Sequence, residues 1–218
     1  MTAARMWVGG RASHSMFANS KDVGAERRLK HLGIDLPHAP SPLGAYVEAI
    51  QTGSLLFLSG MLPIENGSPR FLGRIGGELS IEDGRRATDL AVMNALAVAK
   101  ERLGSLDRVT HVLRLGVSLV TTPDFREHPK VADAASELLI NVFGADKTST
   151  RLVVGVASLP AGVCVLLELI LEVGPESRGS RSRLQGGPEP APPDEMGRGS
   201  RRGHQRQRHD QDRPAEGE

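Results

Sequence analysis

Arg151 opens the run Arg151-Leu-Val-Val-Gly-Val-Ala-Ser-Leu-Pro160, and folding alone gives it least reason to be there. A guanidinium stays charged at any physiological pH and offers a planar fork of N–H donors that fits a carboxylate or a phosphate. At the mouth of an apolar strand pair it has two readings: a solvent-facing strand end, or an anchor for a small anion. Thr148, Ser149 and Thr150 precede it directly, and hydroxyls beside a cation suit anion binding better than water activation. The other reactive side chains are weaker candidates. Cys164 is the one cysteine, and its setting in Val163-Cys-Val-Leu-Leu167 reads as a small buried hydrophobe rather than a nucleophile. His111 lies in a Val- and Leu-rich strand, where a packed or rim histidine is a simpler reading than an acid or base. His38 and His128 sit beside prolines with no further ligand at metal spacing, so neither a metal nor another cofactor is expected. Glu65, Glu82 and Asp83 read as solvated loop and cap charges.

The elements that must hold Arg151 lie in roughly residues 30–173. Before them, residues 1–29 read as a loose N-terminal extension: no acid precedes Asp22 and the apolar residues have no period. That composition suits a transit peptide or, more simply, a plain extension. After Val173 the chain turns to Arg, Gly, Pro and acidic residues, with Leu184 the one large aliphatic. Such a segment cannot offset its ordering entropy by burial, so residues 174–218 read as a disordered tail. A single cysteine excludes an intrachain disulfide and a thiolate cluster and fits a reducing, cytoplasmic setting. No run approaches the apolar length of a membrane span. A net charge of +1 gives no electrostatic case for nucleic acid.

Tyr46–Ile50 and Leu55–Ser59 flank Gln51-Thr-Gly-Ser54 and read as a hairpin. A glycine- and proline-punctuated loop with one edge strand follows. Ser80-Ile-Glu-Asp83 has the form of a capping box, predicting a helix that runs to Leu103 and stops at Gly104. Val109–Val120 is strand chemistry. Pro129 suits a first helical turn, and Val131, Ala135, Leu138, Leu139 and Val142 make one apolar stripe closed by Gly144. Leu152–Ala157 and Val163–Val173 are strands joined at Leu159-Pro-Ala-Gly162. The order predicts an α+β sandwich, two helices on one face of a mixed sheet. The other face, carrying Leu166, has no helix to cover it, and an uncovered apolar face implies self-association.

The chain resembles the RidA (YjgF) family, the reactive-intermediate deaminases with a chorismate-mutase-like trimeric fold. The matching pieces are Ala39-Pro-Ser-Pro-Leu-Gly-Ala-Tyr46, Phe57-Leu-Ser-Gly60 with Leu62-Pro63, Asp124-Phe125, Arg151 and then Leu159-Pro160. They occur in the family's order and span nearly the whole predicted domain. Val131–Leu139 and Val154–Pro160 look like a divergent sub-branch. The resemblance implies a homotrimer with a cleft between each pair of subunits. It implies a hydrolase that converts enamines and imines of the 2-aminoacrylate class to 2-keto acids and ammonia. Arg151 would hold the substrate carboxylate, the Gly60 amide and the Ser59 and Tyr46 hydroxyls would line the pocket, and the Val153 carbonyl would face the ligand.

Two departures from the family pattern bear on the chemistry. The active branch carries a glutamate 15 residues after the arginine, where this chain has Leu166. An asparagine of the second helix that closes the pocket is replaced by Ala132. Leucine neither binds nor deprotonates water. Glu168, two residues on and therefore on the same sheet face, is the candidate replacement. The catalytic set is then Arg151, Glu168 and Tyr46, and the substrate-binding set Arg151, Ser59, Gly60, Tyr46, Val153 and Thr150. The alternative is a non-catalytic trimer that binds small keto acids. RNA cleavage, also attached to the family, ranks last, because the domain has few aromatics and no basic stripe. The expected partners are further copies of the chain and a small carboxylate metabolite, with neither nucleic acid nor membrane.

Overall fold

The computed structural model describes residues 24–42 and 44–175. The readings of residues 1–23 as a loose extension and of the chain beyond Pro175 as a disordered tail lie outside the described residues.

The domain begins earlier than residue 30. Ala25–Leu32 form helix α1, with Ala25 and Leu29 buried and Gly33 closing it at φ 67°. Its first turn is tied down: the Glu26 N–H donates to Asp107 Oδ1 (3.0 Å), and Lys100 Nζ donates to the Glu26 carboxylate (2.7 Å). Residues 25–29 are therefore part of the packed domain. Among the described residues there are three α-helices rather than two. The charges of Glu26-Arg-Arg28 and Lys30 hide a short apolar stripe that tertiary contact rescues.

The hairpin follows as β1 (Ala49–Thr52) and β2 (Leu55–Leu58), turning at Gly53 with φ 57°. The loop beyond it holds a small hairpin of its own, β3 (Ile64–Glu65) and β4 (Ser68–Pro69). Its turn is Asn66-Gly67, both at positive φ (53° and 74°), the pairing that a tight two-residue hairpin favours.

Helix α2 (Ile81–Leu103) starts at the predicted capping box: the Asp83 N–H donates to Ser80 Oγ (3.1 Å) and the Ser80 N–H to Asp83 Oδ2 (3.0 Å). The Ser80 hydroxyl in turn donates to Asp83 Oδ2 (2.6 Å), and this bond, followed by that of the Ser80 N–H, holds the Asp83 carboxyl below its ordinary range. Ser80→Ala is expected to cost about 1 kcal/mol, read as a lower urea midpoint at unchanged slope. Strand β5 (Val109–Val120) leads to helix α3 (His128–Phe143), which takes Pro129 in its first turn. Strands β6 (Thr150–Val156) and β7 (Val165–Val173) follow.

The main sheet has the order β1-β2-β7-β5-β6, with β5 and β6 parallel and the other pairs antiparallel. One face packs on the helices: Leu115, Val117, Leu119, Leu167, Leu169 and Leu171 are all buried there. The cross-strand partners in between, such as Ser118↔Leu166 and Gly116↔Glu168, point to the opposite face. Among the described residues, that face carries no helix. Ile50 is 58% exposed on it and Leu152 47%.

Asp89, on α2, is largely buried near Arg85 of its own helix and Glu137 of α3. Burial pushes its carboxyl up to about 6, Glu137 and Glu82 push the same way, and Arg85 opposes them. The folded chain then holds a proton that the unfolded chain has released between roughly pH 4 and pH 6, so stability falls as pH rises through that window. Asp89→Asn is expected to stabilise the fold by about 1–2 kcal/mol near neutral pH and to confer nothing below about pH 4. Urea titrations at the two pH values check both halves.

Candidate functional site

The Arg151 side lies on β6, the last strand of the sheet. Only one side of the β6 backbone is paired among the described residues, leaving the other with open donors and acceptors. Arg151 pairs in register with buried Leu115, so its side chain takes the helix face. There Nη1 donates to Asp133 Oδ1 (2.8 Å) and to Ser136 Oγ (3.0 Å), both on α3. Asp133 and Ser136 are three residues apart and share one edge of the helix. Val153, on the same strand face as Arg151, is half-buried and packs against the core. Of the hydroxyls beside Arg151, Thr150 donates to the Leu113 carbonyl (2.7 Å) and Thr148 to the Ala145 carbonyl (2.5 Å). Each has spent its single donor on backbone, so neither hydroxyl presents a hydrogen to an anion in this arrangement.

The Ser59 side forms where β2 ends. Ser59 Oγ donates to the Val47 carbonyl (2.7 Å), which ties it to the segment carrying Tyr46. Tyr46 is 47% exposed. A Cβ on Gly60 would lie 3.0 Å from both methyl carbons of Leu166, so the glycine is what lets the leucine lie across the chain. Glu168 is exposed on the same face, and its Oε2 would be 3.2 Å from a Cβ on Gly116. A side chain at position 116 would displace that carboxylate. The chain leaving Gly60 is fixed from below: buried Asn94 of α2 donates to the Leu62 (2.9 Å) and Ile64 (3.0 Å) carbonyls. The sequence reading passes over Asn94, although one amide among the alanines and valines of α2 is the signal for a buried clamp.

The two sides do not meet within one chain. Arg151 lies on the helix face while Glu168 and Leu166 lie on the open face. Strands β7 and β5 separate β2 from β6, which places Ser59 and Arg151 about 14 Å apart across three strand spacings. Ala132, expected where the family closes its pocket with asparagine, is fully buried in α3, and Asp133 beside it is the residue that reaches the arginine.

The remaining candidates take structural roles. His111 Nδ1 lies 2.8 Å from Glu172 Oε2, and the Thr110 hydroxyl donates to the same oxygen (2.7 Å). The Thr110 and His111 hydrogen bonds hold the Glu172 carboxyl below its ordinary range, on an exposed rim. His128 stands edge-on to Phe125, with ring centroids 5.1 Å apart. Cys164 is buried, and burial pushes its thiol up to about 12, which removes it as a nucleophile at neutral pH. Glu65 pairs with Arg70 at the surface. Among the described residues, no three His, Cys, Asp or Glu side chains converge in a metal-binding group, and no helix is long and apolar enough to cross a membrane.

An α+β fold with a mixed sheet, helices on one face and an arginine at the sheet edge defines the class. The family model described as "YjgF/chorismate mutase-like, putative endoribonuclease" matches residues 26–173, and the chain belongs to that family. Protein TCP17 of Trypanosoma cruzi is 35% identical over 146 residues, spanning 66% of this chain and 91% of that protein. A crystal structure from Shewanella oneidensis MR-1, described as a "putative endoribonuclease", has a TM-score of 0.67 at 32% identity and covers 69% of this chain and 100% of that one. A 2-iminobutanoate/2-iminopropanoate deaminase of Dermatophagoides farinae is 26% identical over 140 residues, spanning 64% of this chain and 94% of that protein.

Proposed function

We propose that this protein is a cytoplasmic homotrimer that hydrolyses small carboxylate-bearing enamines or imines of the 2-aminoacrylate class to 2-keto acids and ammonia. The observation that carries the proposal is the separation of the two sides. A cationic fork stands on one sheet edge, and the Ser59-Gly60 corner lies three strands away on the other face. Neither side alone encloses a small molecule; a neighbouring copy that brings its Ser59 corner to this Arg151 completes one cleft. The apolar open face, with Ile50 and Leu152 exposed, gives such a neighbour an area to bury. In the cleft Arg151 fixes the substrate carboxylate, the enamine carbon takes a proton to give the imine, and water adds to the C=N carbon. Loss of ammonia then leaves the keto acid. The deaminase relative supports this reaction class.

A non-catalytic keto-acid binder is the second reading, and the packing of Leu166 across Gly60 favours it, because an alkyl group covers the position where water would be activated. RNA cleavage, which the family description names, fits least: among the described residues Tyr46 is the exposed aromatic, a thin basis for base stacking. The deciding experiment generates 2-aminoacrylate in the presence of purified protein and follows keto-acid release. Acceleration over buffer supports the enzyme. A folded trimer that binds keto acids without acceleration is the binder, and a folded monomer that does neither removes both readings.

A further inference from the structure

Arg151 does not stand alone at the sheet edge. Its Nη1 is fully engaged by α3, with one hydrogen to Asp133 Oδ1 (2.8 Å) and the other to Ser136 Oγ (3.0 Å). A guanidinium has five N–H donors, so the Nε–Nη2 edge remains to grip a ligand carboxylate in a two-pronged contact. Tethering by one nitrogen reduces the rotameric freedom that an edge-strand arginine would lose on binding. It also sets a charge balance. The Asp133 side chain is 45% exposed and that of Arg151 27%, so the carboxylate remains partly solvated beside the anchor. One negative charge already offsets part of the guanidinium before any ligand arrives. The ligand's carboxylate is a second negative charge against that single cation and brings the set to −1, a dicarboxylate would bring it to −2, and Arg114, in register with Thr150 on the neighbouring strand, takes the opposite sheet face. The other charges near this edge of α3 are committed elsewhere: Glu137 pairs with Arg85 and adds negative potential, Arg85 also donates to the Lys130 carbonyl, and Lys147 Nζ donates to the Val109 carbonyl.

We infer that Asp133 and Ser136 are positioning residues that present one edge of Arg151 and restrict its ligands to singly charged carboxylates. This rests on the reading of Arg151 as the carboxylate anchor. The substrates so selected carry an uncharged side chain; acidic imines and phosphorylated compounds are rejected. Serine and aspartate divide the work. Ser136 supplies geometry without charge, whereas Asp133 supplies both.

The test titrates 2-oxopentanoate and 2-oxoglutarate, which have the same carbon number and differ by one carboxylate, into the assembled wild type, Asp133→Asn and Ser136→Ala. Calorimetry reads the affinities and thermal melting confirms folding. Wild type is expected to favour the monoacid. Asp133→Asn is expected to shrink that preference by on the order of five-fold, mainly by tightening 2-oxoglutarate, the scale of one partly exposed charge pair. Ser136→Ala is expected to weaken both acids alike and to keep their ratio, and a merely structural role for Asp133 would make Asp133→Asn behave the same way. If wild type binds the monoacid and Asp133→Asn leaves the ratio unchanged, the inference is overturned while the anchor stands. If wild type binds neither acid, the anchor and the inference fall together.

Discussion

Arg151→Ala is expected to weaken binding of a small keto acid by about 100-fold, equivalent to roughly 2.7 kcal/mol, the loss of a charge-assisted two-pronged contact. The stability of the protomer is expected to change little, because Arg151 and Asp133 form a partly exposed ion pair and such pairs contribute about 1 kcal/mol or less. That contrast makes the variant diagnostic. Arg151→Lys keeps the charge and loses the planar fork, so its affinity is expected to fall between the two, about tenfold below wild type. Titration of 2-oxobutanoate into wild type and both variants, with melting curves alongside, checks all three values. Equal affinity in wild type and Arg151→Ala would show that the arginine is a strand end and nothing more.

The elements that place Arg151 are legible because local chemistry and long-range packing agree there. Ser80 and Asp83 satisfy orphan N–H groups of α2 wherever the helix packs, and the apolar stripe of α3 has one buried side whatever its partner. Strand β5 has the predicted limits, Val109–Val120, because its hydrophobic run is bounded by turn residues at both ends. Helix α1 is less visible, since its eight residues would be marginal alone and owe their order to Asp107 and Lys100, some 80 positions away. The β3–β4 hairpin had a local signal in Asn66-Gly67, obscured by the surrounding glycines. For the site, Arg151 stands out in the sequence because nothing in its own apolar strand accounts for a charge there. Asp133 and Ser136 do not, because an acid and a hydroxyl on the polar side of an amphipathic helix look like solvated surface until β6 is laid beside them. Which sheet face each strand residue takes depends on register, and no run of β6 or β7 residues announces that Leu115 rather than Gly116 will oppose Arg151.

Unless Glu168 already serves as the base, Leu166→Glu is expected to raise hydrolysis of 2-aminoacrylate by at least about 100-fold over wild type, the usual contribution of one positioned acid–base group. The family resemblance places the active branch's glutamate at position 166. Here it is half-exposed on the open face, in register with Ser118 and against Gly60. A carboxylate at that point would hold water beside the Ser59 corner, where the leucine presents only methyl groups. The cost is electrostatic: Glu168 lies two residues away on the same face, so two like charges share one surface and a drop of a few degrees in Tm is expected. Glu168→Gln separates the possible sources of wild-type activity. If Glu168 already serves as the base, Glu168→Gln abolishes the reaction and Leu166→Glu adds little to wild type. If the wild type is a binder, Glu168→Gln changes nothing and Leu166→Glu creates turnover where there was none. A folded, ligand-binding Leu166→Glu protein that remains inert would mean that the cleft lacks more than a base. The hydrolytic reading would then give way to binding alone.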